Sequence, residues 1–383
     1  MEFLLTNVCW ENLYLSRNPL VERKGIISVK KITYLILILL LAFSLTGCFE
    51  KKADDNLIGV AMPTQSLQRW NQDGANMKAK LEESGYSVDL QYANNDVNTQ
   101  IQQLENMITK KCKVLVIAAI DGSALTEVLR KAAENDIQVI AYDRLIMNSE
   151  HVDYYATFDN FQVGVIQGQY IEEQLGLEDN AGPFNIELFA GSPDDNNALF
   201  FNGGAMSILQ PYIDAGKLVV PSGQTEFTTI AIHGWKSADA QARMDNLITA
   251  HYAAGRKLSA VLSPNDSLAI GIITSLRNAG YGTADKPYPV ITGQDCDKPN
   301  VIAMINGEQS MSIFKDTRTL AEKVVEMVEA IMKGEDAPVN DTETYHNGAK
   351  YVPSFLCDPV YADVNNYQEL LIDSGYYKES DLQ

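Results

Sequence analysis

Aspartate, asparagine, arginine and lysine gather in this sequence where apolar runs stop. Ile137 to Tyr142 ends in Asp143-Arg144, and the run at 184–190 leads into Gly191-Ser192-Pro193-Asp194-Asp195-Asn196-Asn197. Further on come Pro264-Asn265-Asp266, Gly293-Gln294-Asp295 and Lys315-Asp316, and the first run leads to Arg69-Trp70. An ionised carboxylate only accepts hydrogen bonds, Arg and Lys only donate, and Asn does both. A ring of such groups can satisfy every hydroxyl of a polyol with charge-assisted bonds. Trp70 and Trp235, two of the three tryptophans, offer flat faces for the C–H side of a sugar ring. Trp235 reads as lying in an unstructured stretch, 228–236, where a core tryptophan is less expected.

Each of these residues also has a plainer reading. Asp143-Arg144 alone fits an ion pair or a helix cap, and Asp194 or Asp195 fits an N-cap. Trp70 opens a helix and fits a core position, while Lys315 fits a solvated surface. Their shared place at strand ends favours a binding site over all of these.

The elements that must position them alternate regularly. Leu57 to Ala61, Val88 to Tyr92, Val114 to Ile120 and Ile137 to Tyr142 read as strands, with helices between. Val97, Ile101, Leu104 and Ile108 form one apolar stripe at helical spacing. Continuous apolar runs such as Val114 to Ile120 mark parallel strands covered on both faces. Beyond Phe158, strands are expected at 184–190, 217–220, 259–263, 289–293 and 310–314. Helices are expected at 160–175, 197–214, 237–254, 266–279, 298–306 and 316–333. This alternation predicts an α/β fold of two Rossmann-like, doubly wound parallel-sheet lobes, since one sheet holding every strand would be unusually wide. Ligands of such sheets bind beyond the carboxyl ends of the strands.

Composition excludes several function classes. The chain of 383 residues carries a formal charge of −20, which disfavours nucleic acid and anionic lipid. His151, His233, His251 and His346 show no metal spacing, and no Walker-type or Gly-x-Gly-x-x-Gly phosphate loop occurs. Neither a metal nor a cofactor is expected. No motif supplies a nucleophile. A glycosidase would need two opposed carboxylates, but the acids here come with a comparable set of donors, which speaks for binding rather than catalysis. Cys112, Cys296 and Cys357 are too widely spaced for a disulfide framework and read as buried small hydrophobes.

The N-terminal region reads as an export signal. Lys30 and Lys31 precede the apolar run Ile32 to Leu45, and Leu45-Thr46-Gly47-Cys48 has the form of a bacterial lipobox. Cys48 is therefore expected to be lipidated, over a signal at 29–48, and the body to sit on the outer side of the cell membrane. Glu2, Glu11 and Glu22 do not suit a signal, so residues 1–28 read as an extension upstream of a true start at Val29. Residues 49–56 read as a polar tether.

Several phrases carry a family resemblance. Arg69-Trp70, Gln103-Leu104-Glu105-Asn106-Met107, Val114-Leu115-Val116-Ile117, Ala141-Tyr142-Asp143-Arg144, Phe158-Asp159-Asn160, Gly191 to Ala198 and Gly293-Gln294-Asp295 fall in family order, as does Asp373 to Leu382. Over residues 57–383 the chain resembles the periplasmic xylose-binding and multiple-monosaccharide-binding proteins, type I periplasmic binding proteins of ABC transporters. The resemblance implies a sugar held between Trp235 and Trp70. It implies polar contacts from Arg69, Asp143 and Arg144 on one lobe, and from Asp195, Asn197, Asn265, Asp295 and Lys315 on the other. Gln65 stands where xylose-binding relatives carry a cation, which leaves D-xylose, D-glucose, D-galactose and L-arabinose all open. Chain crossings are implied near 157–160, 314–317 and 351–356. They give one lobe of 57–158 with 317–352 and another of 159–316 with 353–383. The implied partner is an ABC permease. An alternative is a sugar sensor that presents its closed form to a membrane receptor kinase or chemoreceptor. A nucleoside- or peptide-binding lipoprotein of the same fold is disfavoured, because nothing in the residue set suits an anion or a base.

Overall fold

The computed structural model describes residues 54–179 and 181–382. The expectations for the signal, the start at Val29 and Cys48 lie outside the described residues. The last part of the tether, 54–56, is an exposed turn in front of the first strand.

The first lobe is built by alternation: β1 (Leu57–Met62), α1 (Gln68–Glu83), β2 (Ser87–Tyr92), α2 (Val97–Thr109), β3 (Val114–Ile117), α3 (Thr126–Ala133), β4 (Gln138–Tyr142) and β5 (Tyr154–Phe158). All four residues of β3 are buried, as a strand covered on both faces requires. The apolar stripe of α2 buries Leu104 and Met107, and Asp96 caps the helix by accepting from the Thr99 amide at 2.6 Å.

The chain then crosses into the second lobe with α4 (Asn160–Leu175), β6 (Phe184–Leu188), α5 (Asn197–Asp214), β7 (Leu218–Val219) and the short α6 (Phe227–Ile230). It continues through α7 (Ser237–Leu247), β8 (Ala260–Leu262), α8 (Asp266–Asn278), β9 (Val290–Ile291), α9 (Lys298–Ile305) and β10 (Met311–Phe314). A second crossing returns it to the first lobe as α10 (Thr317–Lys333) and β11 (Ser354–Cys357), and β12 (Val360–Asp363) lies back in the second.

The first sheet has the order β11-β5-β4-β3-β1-β2, parallel throughout. The second has the parallel order β7-β6-β8-β9, and β10 is joined to it by a parallel bridge between Gln294 and Ile313. Helix α10 packs on α1, β5 and β11, and its Leu320, Val324 and Val328 share one buried cluster with Ile58, Val60 and Met77. In the second lobe α4 and α5 pack backbone to backbone. A Cβ on Gly164 would sit 2.0 Å from the Phe201 carbonyl oxygen, so only glycine permits that approach.

One expectation is corrected. Residues 353–357 belong to the first lobe, because β11 pairs with β5 in register from Ser354–Tyr155 to Cys357–Phe158; the third crossing therefore falls at 358–359. Beside the two parallel sheets, β12 runs antiparallel to β10 in a separate two-stranded pair. Cys112, Cys296 and Cys357 are buried and unpaired.

Candidate functional site

All ten residues singled out from the sequence line one cavity between the lobes: Arg69, Trp70, Asp143, Arg144, Asp195, Asn197, Trp235, Asn265, Asp295 and Lys315. The site grows from the strand ends. Arg69 and Trp70 occupy the first turn of α1, and both are buried. Asp143 follows β4 in a left-handed conformation, φ 58°. Its carbonyl oxygen accepts from Tyr155 Oη at 2.6 Å, Thr157 Oγ1 at 3.0 Å and Asn197 Nδ2 at 2.7 Å. Three donors on one oxygen account for the persistence of that backbone strain.

Charged pairs run from lobe to lobe. Arg69 Nη1 donates to Asp295 Oδ1 at 3.1 Å, and Arg69 Nη2 to Asp143. Lys315 Nζ lies 3.1 Å from Asp295 Oδ1 and 3.7 Å from Asp143 Oδ1. Arg144 Nε stands 2.9 Å from Asp195 Oδ2, an ionic contact rather than a well-aligned hydrogen bond. Asn265 caps α8 by accepting from the Leu268 amide at 3.0 Å.

The aromatic walls are also fixed. Trp235 Nε1 donates to Asp195 Oδ2 at 3.2 Å, and its ring lies flat on Gly191. The stretch around it is not unstructured: it holds α6 and a helical turn over His233–Trp235, and Trp235 is 6% exposed within the core of its lobe. Trp70 packs on Ile58 and Val60, and the guanidinium of Arg144 lies 5.1 Å from its ring centre. Both tryptophans are thus core and cavity wall at once. Gln65, by contrast, is exposed and absent from the cavity lining.

Burial and neighbours set the charges. Burial would raise the Asp143 carboxyl, but Arg69, Lys315 and Arg144 outweigh it and hold the group below the usual range. Burial raises Asp195 despite Arg144. Asp73 is pushed up to about 6 by burial, against the pull of Arg69. Burial also acts against the Arg69 charge, yet Asp143, Asp73 and Asp295 overcome it and hold the guanidinium firmly protonated.

Sequence reasoning missed Phe201, Ser267, Gln294 and Asp297, which line the same cavity. Phe201 is one helical turn beyond Asn197, and Asp297 two residues beyond Asp295, so both were within reach of a search past the strand ends. Gln167 of α4 was less legible. Its amide donates to the Gly293 and Pro264 carbonyls at 3.0 and 3.3 Å, tying together the loops that carry Asp295 and Asn265.

Residues 58–336 match the model of the periplasmic binding protein domain. The chain belongs to that family. Its fold is the type I arrangement of two α/β lobes. This binding protein is 56% identical to the multiple sugar-binding periplasmic protein SbpA of Azospirillum brasilense, over 88% of this chain and 94% of the relative. It is 55% identical to the multiple sugar-binding periplasmic receptor ChvE of Rhizobium radiobacter, over 86% and 93%. Among solved structures it resembles an ABC transporter solute-binding protein from Clostridium phytofermentans with bound β-D-glucose. That match has a TM-score of 0.83 and 60% identity, and covers 85% of this chain and all of that one. These relatives are named for what they bind, and none for a reaction.

Proposed function

We propose that this chain is an extracytoplasmic substrate-binding protein that closes its two lobes around a monosaccharide and delivers it to an ABC sugar permease. The observation that carries the reading is the cavity lining, where Arg69, Arg144 and Lys315 face Asp143, Asp195, Asp295 and Asp297. Donors and acceptors are interleaved and nearly balance in charge, which suits a neutral polyol better than an anion or a cation. The sugar-binding names of the relatives and the glucose in the Clostridium structure support the same class. Aldoses of the xylose, glucose, galactose and arabinose type are the expected ligands.

The mechanism is hinge closure. A solute touching both lobes stabilises the closed form by its differential affinity for it, and the permease reads that form. The ten lining residues are the proposed contacts, with Trp235 and Trp70 flanking the ring. A lipid on Cys48 would keep the body at the membrane, and Cys48→Ser should release it from the membrane fraction.

The test is a thermal-shift screen of the purified protein against aldoses. A ligand that binds only the folded state raises stability by about 2.7 kcal/mol at a hundredfold excess over its dissociation constant. A rise with one or more aldoses supports the reading. No rise with any of them, in folded protein stripped of bound ligand, refutes it.

A further inference from the structure

Two residues that line the cavity each carry a buried side-chain oxygen with no hydrogen-bond partner among the described residues. Gln294 lines the cavity, is 2% exposed, and follows β9 in the loop that also carries Asp295. Its Nε2 donates to the Pro264 carbonyl at 3.2 Å, and a carbonyl can only accept. The amide orientation is therefore fixed, and Oε1 is left as a buried acceptor without a donor. Asp297, three residues on, also lines the cavity, and its Oδ1 is likewise buried without a partner. Its backbone amide is held by Asp266 Oδ2 at 2.9 Å, so the residue is anchored while that oxygen stays free. Buried polar atoms without partners are rare, and two in one ligand cavity point to donors that arrive with the ligand.

We propose that Gln294 Oε1 and Asp297 Oδ1 accept hydrogen bonds from hydroxyls of the bound solute, adding two acceptor contacts to the ten residues recognised in the sequence. The inference rests on the reading that the cavity takes a monosaccharide. The pair reads hydroxyls as donors. A fluorine at the same carbon has the size of a hydroxyl but no hydrogen to give, so it should be refused like a missing hydroxyl.

The experiment is calorimetric titration with D-glucose and with its monodeoxy and monodeoxyfluoro analogues at each carbon. The wild type should show at least one carbon where the fluoro analogue loses as much as the deoxy, on the order of tenfold. Gln294→Met or Asp297→Leu should weaken D-glucose by a similar factor and abolish the discrimination at that carbon alone. Gln294→Met keeps the length of the side chain and serves if the aspartate variant does not fold. Variants that keep the wild-type pattern, or that lose the same factor for every analogue, overturn the inference while sugar binding stands. A wild type that binds no aldose overturns the sugar reading itself, and the inference with it.

Discussion

Asp73 holds Arg69 from behind: its Oδ2 accepts from Arg69 Nε at 3.0 Å, one turn along α1, while Nη1 of the same guanidinium reaches Asp295 on the other lobe at 3.1 Å. Tyr142 Oη donates to the second oxygen of Asp73 at 3.0 Å, so the carboxylate is itself fixed. Arg69 thus reaches across the cleft from a prepared position, and little rotamer freedom remains to be lost on closure. Asp73→Asn keeps the shape but removes the charge behind the guanidinium. Sugar affinity should fall about tenfold, since a hydrogen bond to a charged group contributes about 1.5–3 kcal/mol. Unchanged affinity by calorimetry would show that Arg69 needs no such support.

The Asp295 side chain is held on the cavity side by Arg69 and Lys315, and only its backbone amide joins a sheet, donating to the Ile313 carbonyl at 2.8 Å. Asp295→Ala should therefore abolish tight binding at little cost to folding. Trp235→Ala should behave differently. The residue packs among Phe189, Phe201 and Leu268, so truncation should also cost about 3–5 kcal/mol of stability. Paired melting and titration measurements check both. A Trp235→Ala variant as stable as the wild type would contradict the core placement.

The strand-end rule found nine of the ten lining residues, all but Trp235, because parallel α/β sheets present their carboxyl ends to the ligand, and Asp, Asn and Arg have few structural reasons to gather there. It missed residues set by depth rather than by position. Asp73 stands four places after Arg69, but an acidic residue in mid-helix reads as solvated surface until the fold buries it. The third hinge crossing was misplaced because β11 and β12 are only four residues each and lie beside Pro353 and Pro359. Such short runs carry no readable period. β5 decides the matter through its pairing with β11, and a pairing partner nearly two hundred residues away leaves no local trace.

Stability should depend on pH through Asp297. Burial first, and the Asp295 carboxylate second, push its carboxyl up to about 7, against 3.8 for the free group. The folded value is the higher one, so the folded protein holds a proton that the unfolded chain has released. The stabilising contribution is complete below pH about 4 and is lost as pH climbs through about 7. Asp73, at about 6, acts in the same sense. Asp297→Asn removes this titration. Its melting temperature relative to the wild type should therefore climb between about pH 5 and pH 8. A difference that stays constant over that range would show that Asp297 is ionised throughout.

Gly191 tests the aromatic wall without touching an aromatic residue. A Cβ there would lie 2.0 Å from Trp235 Cη2 and 2.5 Å from Cζ2, inside any permitted contact. The indole cannot slide away freely, because Nε1 is bonded to Asp195 and the backbone of Trp235 is already left-handed at φ 55°. Gly191→Ala must therefore displace the ring or the strand end, and affinity for the sugar should fall at least about tenfold, as misplacing a positioned contact does. Gly203→Ala is the control: its Cβ would meet only a Phe161 ring carbon at 3.8 Å, an ordinary contact, and binding should stay at the wild-type level. Equal affinities in the two variants would remove the Trp235 face from the binding surface and leave the polar ring as the whole of the site.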